Sequence, residues 1–232
     1  MNRVIEKILW YVSCAFFPNR CCVCGKVIEP DELFCDYCRI TVARVPDNIL
    51  RLWSRCKNLR KIPTMKLHFD GYIGPYYHED GGKDIVYNFK LGKRIELADI
   101  ISSDMAVVFR KFYNNIDFDF LCGVPMRKFK VLCSEFDQVA VLCEELEKKL
   151  NIPYNPIIEQ IKTKKPQHTL SAKERFKNVK GIYAIEPKCD IRGKTILLID
   201  DISTTGASLN ECAKILKKNG ARKVYCLMAT IT

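Results

Sequence analysis

The sequence predicts a doubly wound α/β domain with a mainly parallel sheet, preceded by a small four-cysteine module, and three observations carry that prediction. Apolar runs of strand length alternate with helical periodicities from Gly71 to Ala229. One run, Thr195 to Ile199, is β-branched and leucine throughout, as a strand buried on both faces must be. Near the other end, Cys21 and Cys24 and then Cys35 and Cys38 form two CxxC pairs separated by ten residues. The expected division is 1–60 for an N-terminal helix, the cysteine module and a basic linker, and 61–232 for the α/β domain.

Taken in order, Ile8 to Phe17 is apolar and reads as an amphipathic helix packing on the cysteine module. It is too short to span a bilayer, Tyr11, Ser13 and Cys14 dilute it, and no small-x-small cleavage site precedes Pro18, so no membrane span and a cytoplasmic location are expected. In the module, Gly25 follows the first pair as in tight zinc knuckles, where backbone N–H groups turn toward thiolate sulfur. Four thiolates from Cys21, Cys24, Cys35 and Cys38 suit a closed, structural Zn²⁺ site. Cys21 is taken over Cys22 because only Cys21 stands two residues before Cys24. A disulfide framework is the competing reading, and a reducing compartment and the odd count of 13 cysteines argue against it. Cys122, Cys143, Cys212 and Cys226 fall in apolar patterns and read as small core residues.

The net charge of +11 implies anionic partners. From Asn48 to Phe69 the cations Arg51, Arg55, Lys57, Arg60, Lys61 and Lys66 meet no acid and surround Trp53, a linker composition that also suits single-stranded nucleic acid. A second basic run, Lys162 to Lys180, is opposed only by Glu174 and is expected as a loop able to close over a polyanion. Between these runs, strands are expected at Gly71 to Tyr77, Asp119 to Val124 and Val224 to Ala229. Helices are expected at Asp84 to Lys90, Glu96 to Phe112 and Ser134 to Leu150, with a short one begun by the capping box Ser171-Ala-Lys-Glu174.

The most informative stretch follows the buried strand. Asp200 and Asp201 lead into Ser203-Thr204-Thr205-Gly206-Ala207-Ser208, and Leu209, Cys212, Ala213 and Leu216 then recur at helical spacing until Gly220. The turn therefore lies at a helix N-terminus and at a strand's carboxyl end, where N–H groups and the dipole favour a phosphate. The two acids suit ribose hydroxyls as acceptors, directly or through hydrated Mg²⁺. One phosphate and one diol describe a 5-phosphoribosyl group. The stretch resembles the 5-phosphoribosyl-1-pyrophosphate (PRPP) motif of type I phosphoribosyltransferases, which implies that fold and Mg-PRPP as ligand.

A wider resemblance takes in the cysteine module, Tyr72-Ile73-Gly74, Phe89-Lys90-Leu91-Gly92, Val124-Pro125-Met126, Gln167 with Arg175, Asn178 and Gly181, and the PRPP motif. In these the chain is similar to the ComF family of competence-associated phosphoribosyltransferase-like proteins. The resemblance implies a part in DNA uptake, with single-stranded DNA and competence proteins as partners. Where the family has Arg-Gly-Phe-Asn-Gln, this chain has Ser134-Glu135-Phe136-Asp137-Gln138, and Gln160 stands where an Arg is usual. A cation is thereby exchanged for an anion in the loop expected to face pyrophosphate, and Arg127, Lys128 and Lys130 are the compensating cations. In the enzyme reading, Asp200 and Asp201 hold the ribose while Arg127, Lys128 and Arg175 stabilise departing pyrophosphate. In the alternative, a non-catalytic adaptor holds PRPP or a nucleotide in the same pocket and contacts DNA or a competence partner. A purine-salvage enzyme is a weaker third reading, because no base-binding signature is present.

Overall fold

The apolar run after Lys194 forms the middle of a parallel sheet, which the computed structural model describes together with its helices over residues 18–29, 32–41, 66–90, 94–126, 136–162, 172–187, 189–203 and 205–231. The chain divides into two compact units, Met1–Ala43 and Arg44–Thr232. The expected helix over Ile8 to Phe17 and the part of the basic linker from Asn48 to Met65 lie outside the described residues.

In the first unit, Arg20 and Val27 form an antiparallel bridge around the first CxxC turn. Helix α1, Asp36–Thr41, follows at the second.

The second unit is built on strands β1 (Gly71–Ile73), β2 (Tyr76–Tyr77), β3 (Phe120–Gly123), β6 (Thr195–Ser203) and β7 (Lys223–Ile231). They pair in the order β1-β7-β6-β3, all parallel, with β2 also on β7. The single strand expected from Gly71 to Tyr77 is thus two pieces. Pro75 has no N–H to donate, yet the register carries across it, Ile73 facing Leu227 and Tyr76 facing Thr230. A π-helical turn, His78–Gly82, then feeds α2, Lys83–Lys90.

Helices α3 (Leu97–Tyr113) and α4 (Gln138–Leu150) cover one face of the sheet. The start expected at Ser134 is replaced by one at Gln138, because Asp137 caps the helix, its carboxylate accepting from the N–H groups of Val139 at 3.0 Å and Ala140 at 3.1 Å. Asn151 ends it in the left-handed conformation at φ 55°. Ser134 and Glu135 lie outside the described residues.

On the opposite face lie α5 (Ala172–Val179), α6 (Ala207–Lys218) and an antiparallel hairpin of β4 (Ile158–Gln160) and β5 (Tyr183–Ile185). No periodicity announces this hairpin, since strands of three residues are too short to display a period. It brackets the second basic run, whose residues 163–171 are not described.

The pleat sends alternate side chains of the central strands to opposite faces. Phe120, Cys122, Ile196, Leu198, Val224 and Cys226 join Leu209, Cys212 and Leu216 of α6 in one core cluster. Leu121, Leu197 and Ile199, fully buried, turn the other way. Among the described residues, no helix is long and apolar enough to cross a membrane.

Gly123 sits where α4 meets β3, and a Cβ there would lie 2.7 Å from Val139 Cγ1 and 3.3 Å from Cys143 Sγ. Gly123→Ala is therefore expected to lower unfolding free energy by about 1–3 kcal/mol. Adding Val139→Ala, which vacates the clashing methyl, should recover part of that loss in denaturant titrations. Equal stability of Gly123→Ala and wild type would show that the helix does not press on the strand.

Candidate functional site

Strand β6 does not stop at Ile199 as expected but runs on through the acids, because β7 keeps pairing with it: Asp200 opposes Met228, Ile202 opposes Thr230 and Ser203 opposes Ile231. Both carboxylates are consequently held in regular strand, 9% and 6% exposed at Asp200 and Asp201. The pleat separates them. Asp200 follows Ile196 and Leu198 to the α6 side, and Asp201 follows Leu197 and Ile199 to the other. Each carboxylate also accepts the next backbone N–H, Asp201 N–H to Asp200 Oδ1 at 2.9 Å and Ile202 N–H to Asp201 Oδ1 at 2.7 Å.

Beyond the strand the chain turns at Gly206, which adopts φ 66° at the N-cap of α6. That conformation suits glycine because it carries no Cβ. The N–H of Asn210 closes the first helical turn onto the Gly206 carbonyl at 2.8 Å. Helix geometry leaves the first-turn N–H groups without intrahelical acceptors, and the dipole places positive potential there. A small open hollow lies at this point, lined by Asp200, Ile202, Ser203, Thr205, Gly206, Ala207, Ser208 and Leu209. The expected ligand residues Asp200, Ser203, Thr205, Gly206, Ala207 and Ser208 thus meet around one concavity. Thr204 lies outside the described residues, and Asp201 does not line the hollow.

Two side chains anchor α6. Buried Asn210 accepts the His68 N–H at 2.7 Å and donates to the Lys66 carbonyl at 3.2 Å. Glu211 accepts the Gly181 N–H at 3.0 Å.

What Asp201 meets is Lys90, at the end of α2, whose Nζ lies 2.5 Å from Asp201 Oδ2. Ile85, Val86 and Phe89 bury the apolar stripe of α2, which fixes where Lys90 points. Burial by itself would lower the Lys90 pKa, but the charge of Asp201, its hydrogen bond and the further charge of Asp200 overcome that and raise it, so the ammonium stays protonated. Lys90 stood in the sequence only within the resemblance-bearing Phe89-Lys90-Leu91-Gly92. Its site role was missed because the partner is 111 residues away.

The expected pyrophosphate-side cations are not brought to this hollow by the described residues. Arg127, Lys128 and Lys130 lie outside them, as does Gln167. Arg175 is in α5, its side chain outside what is described.

In the first unit, one sulfur each from Cys21, Cys24, Cys35 and Cys38 lies within 4.8 Å of all the others, and Cys24 and Cys35 Sγ are 3.7 Å apart. A tetrahedral ion with metal–sulfur bonds of about 2.3 Å requires sulfurs about 3.8 Å apart, so the cluster is compatible with zinc. Gly25 at φ 73° turns the first knuckle, its N–H bonding the Cys21 carbonyl at 3.0 Å. Cys22 is outside the cluster, as its position one residue too late implies. Burial raises the pKa of Cys21, but N–H groups of Cys24, Cys35 and Val23 outweigh it and hold the thiol below its ordinary value. Burial and shared thiol hydrogen bonds push Cys38 up. Opposite shifts are those of like charges crowded into one site, a repulsion that a divalent cation relieves.

A parallel sheet covered by helices on both faces, two acids at the carboxyl end of a central strand and a glycine turn into a helix define a type I phosphoribosyltransferase-like protein. Residues 140–230 match the phosphoribosyl transferase domain model. The DNA utilization protein YhgH of Escherichia coli K12 is 25% identical over 221 residues, covering 91% of this chain and 90% of its own length. Competence protein F of Haemophilus influenzae is 33% identical over 103 residues, 44% of this chain and 45% of its own. Competence protein ComFC of Bacillus subtilis is 27% identical over 209 residues, 84% and 82% of the two chains. Among solved structures, hypoxanthine phosphoribosyltransferase of Trypanosoma cruzi aligns with TM-score 0.37 and 14% identity over 58% of this chain and 64% of its own. These relatives and the domain match support a likeness to the ComF family of phosphoribosyltransferase-like proteins.

Placing an L side chain at position 206 costs about 1–2 kcal/mol in the left-handed conformation. Gly206→Ala is accordingly expected to unfold at lower denaturant concentration than wild type by that amount. An unchanged midpoint would mean that the turn does not need its left-handed residue.

Proposed function

We propose that this protein binds Mg-PRPP, with the 5-phosphate on the first-turn N–H groups of α6 and the ribose hydroxyls at Asp200, and that it serves DNA uptake in natural transformation. The observation that carries the reading is the hollow itself, in which a buried carboxylate and a helix N-terminus face the same small space. An anion and a diol are what that pairing recognises. The role in DNA uptake is carried over from the relatives named for competence and DNA utilisation. Single-stranded DNA and competence proteins are the partners this assigns, and the reduced thiols of the four-cysteine site favour a cytoplasmic location.

In the catalytic form of the proposal, Arg127, Lys128 and Arg175 stabilise the pyrophosphate leaving C1 while Asp200 orients the ribose, and an acceptor nucleophile takes the sugar. Mg²⁺, a hard cation that keeps several waters and binds through one or two carboxylates plus ligand phosphates, fits the single carboxylate of the hollow, and it supplies charge neutralisation to the pyrophosphate. Ser134-Glu135 in the pyrophosphate-side loop favours a second reading, PRPP binding without turnover. In the first unit the four thiolates hold a structural zinc, with no position open for water.

Calorimetry with Mg-PRPP tests the site. Asp200→Asn is expected to weaken binding by on the order of tenfold to a hundredfold, the worth of one charge-assisted hydrogen bond. Gly206→Val should abolish binding by crowding the turn, with circular dichroism checking the fold. Wild type failing to bind at millimolar PRPP would end the reading. Pyrophosphate release against candidate acceptors separates turnover from binding. Metal analysis is expected to give one zinc per chain, lost in Cys35→Ser, Cys38→Ser, and retention of zinc in that variant would refute the ligand assignment.

A further inference from the structure

One acid of the pair is already engaged by a cation. Lys90 reaches Asp201 from the α2 side, and the side chains of the two residues are 21% and 8% exposed. An ammonium buried this far remains charged only beside a carboxylate, and a carboxylate buried this far needs a cation or several donors. The contact is short, 2.5 Å between Nζ and Oδ2, and a backbone N–H holds the other oxygen, Oδ1, at 2.7 Å. Both oxygens of Asp201 therefore carry donors. Asp200, one residue earlier in the same strand, faces the hollow on the opposite side of the sheet.

We propose that Lys90 is a built-in cation of the acid pair, a positioning residue that holds Asp201 on the α2 side of the sheet and fills the place a metal ion would otherwise take there, leaving Asp200 as the carboxylate that meets the ligand. The proposal deepens the ribose-phosphate reading of the hollow and rests on it. Its consequence is that the resting protein does not collect Mg²⁺ at Asp200 and Asp201, so a divalent ion enters with a polyphosphate ligand that already carries it. The fixed positive charge on Asp201 repels a second cation and also occupies the oxygen ligand it would need there. The α2 helix is thereby tied electrostatically to the strand that bears the site.

The test uses the full chain and Mn²⁺ alone, counted by electron paramagnetic resonance, with no PRPP present. Wild type is expected to bind Mn²⁺ weakly, and Asp201→Asn to leave that binding unchanged. Lys90→Gln should gain a site tighter by on the order of tenfold or more, because the Asp201 carboxylate then loses its fixed cation and attracts the ion. The gain should disappear in Lys90→Gln, Asp201→Asn, and Lys90→Arg should behave as wild type. A purely structural role for Lys90 predicts no gain in metal binding and no rescue by arginine. Lys90→Gln binding Mn²⁺ no better than wild type, or wild type holding Mn²⁺ tightly and losing it in Asp201→Asn, overturns the proposal. Where Lys90→Gln does not fold, amide resonances of wild type decide: selective Mn²⁺ broadening at Asp200 to Ile202 overturns the proposal, and uniform weak broadening supports it. Failure of PRPP to bind wild type would instead strike the ribose-phosphate reading, and the metal-alone result stays readable beside it.

Discussion

The parallel ladder between β6 and β7 governs the rest of the second unit. It runs from Thr195 opposite Lys223 to Ser203 opposite Ile231, well past the last apolar residue of the buried run. Because the ladder holds the backbone extended through Asp200 and Asp201, the two carboxylates cannot converge on one ligand. They are dealt to opposite faces by the same alternation that sends Ile196 and Leu198 one way and Leu197 and Ile199 the other. The chain then leaves the sheet at a single left-handed glycine, and α6 starts with its positive end beside Asp200.

Burying two adjacent acids is unfavourable unless each gains partners, since isolated charges in the interior are strongly destabilising. On the α2 side that partner is Lys90. On the α6 side Asp200 borders the hollow and the helix terminus, whose positive potential favours its charge. The acids therefore sit in unlike electrostatic settings although they are neighbours in sequence. Elsewhere the domain uses carboxylates in a purely structural way at the other end of the sheet. Asp70 accepts the Val224 N–H at 2.8 Å and pairs with Lys217 and Lys223, and Asp119 accepts the Thr195 N–H at 2.8 Å and pairs with Lys194. Each of these fixes the first residues of a central strand, so the register on which the site depends is pinned where the strands begin.

The first unit is stabilised differently. Among its described residues, Cys21, Cys35 and Cys38 form an apolar cluster with Val23 and Ile28 packed against them. Four converging sulfurs are compatible with zinc, and where such a site binds metal the binding energy is folding energy.

The sequence by itself determined the class of fold, the strand and helix that flank the glycine turn, the cysteine quartet and the family resemblance. These are local matters: periods of two and 3.6, a two-residue CxxC spacing, and the contiguous positions from Thr195 to Leu209. Only the tertiary structure decided how far β6 extends, because that depends on β7 continuing to pair, and therefore which acid faces the hollow. It alone brought Lys90 to Asp201 across 111 residues of chain, and it alone formed the hairpin of β4 and β5, whose strands are too short to carry a pattern. Side-chain alternation is readable from sequence once a strand is known, but the partner that an alternating residue meets is set by packing, and packing is not a local property.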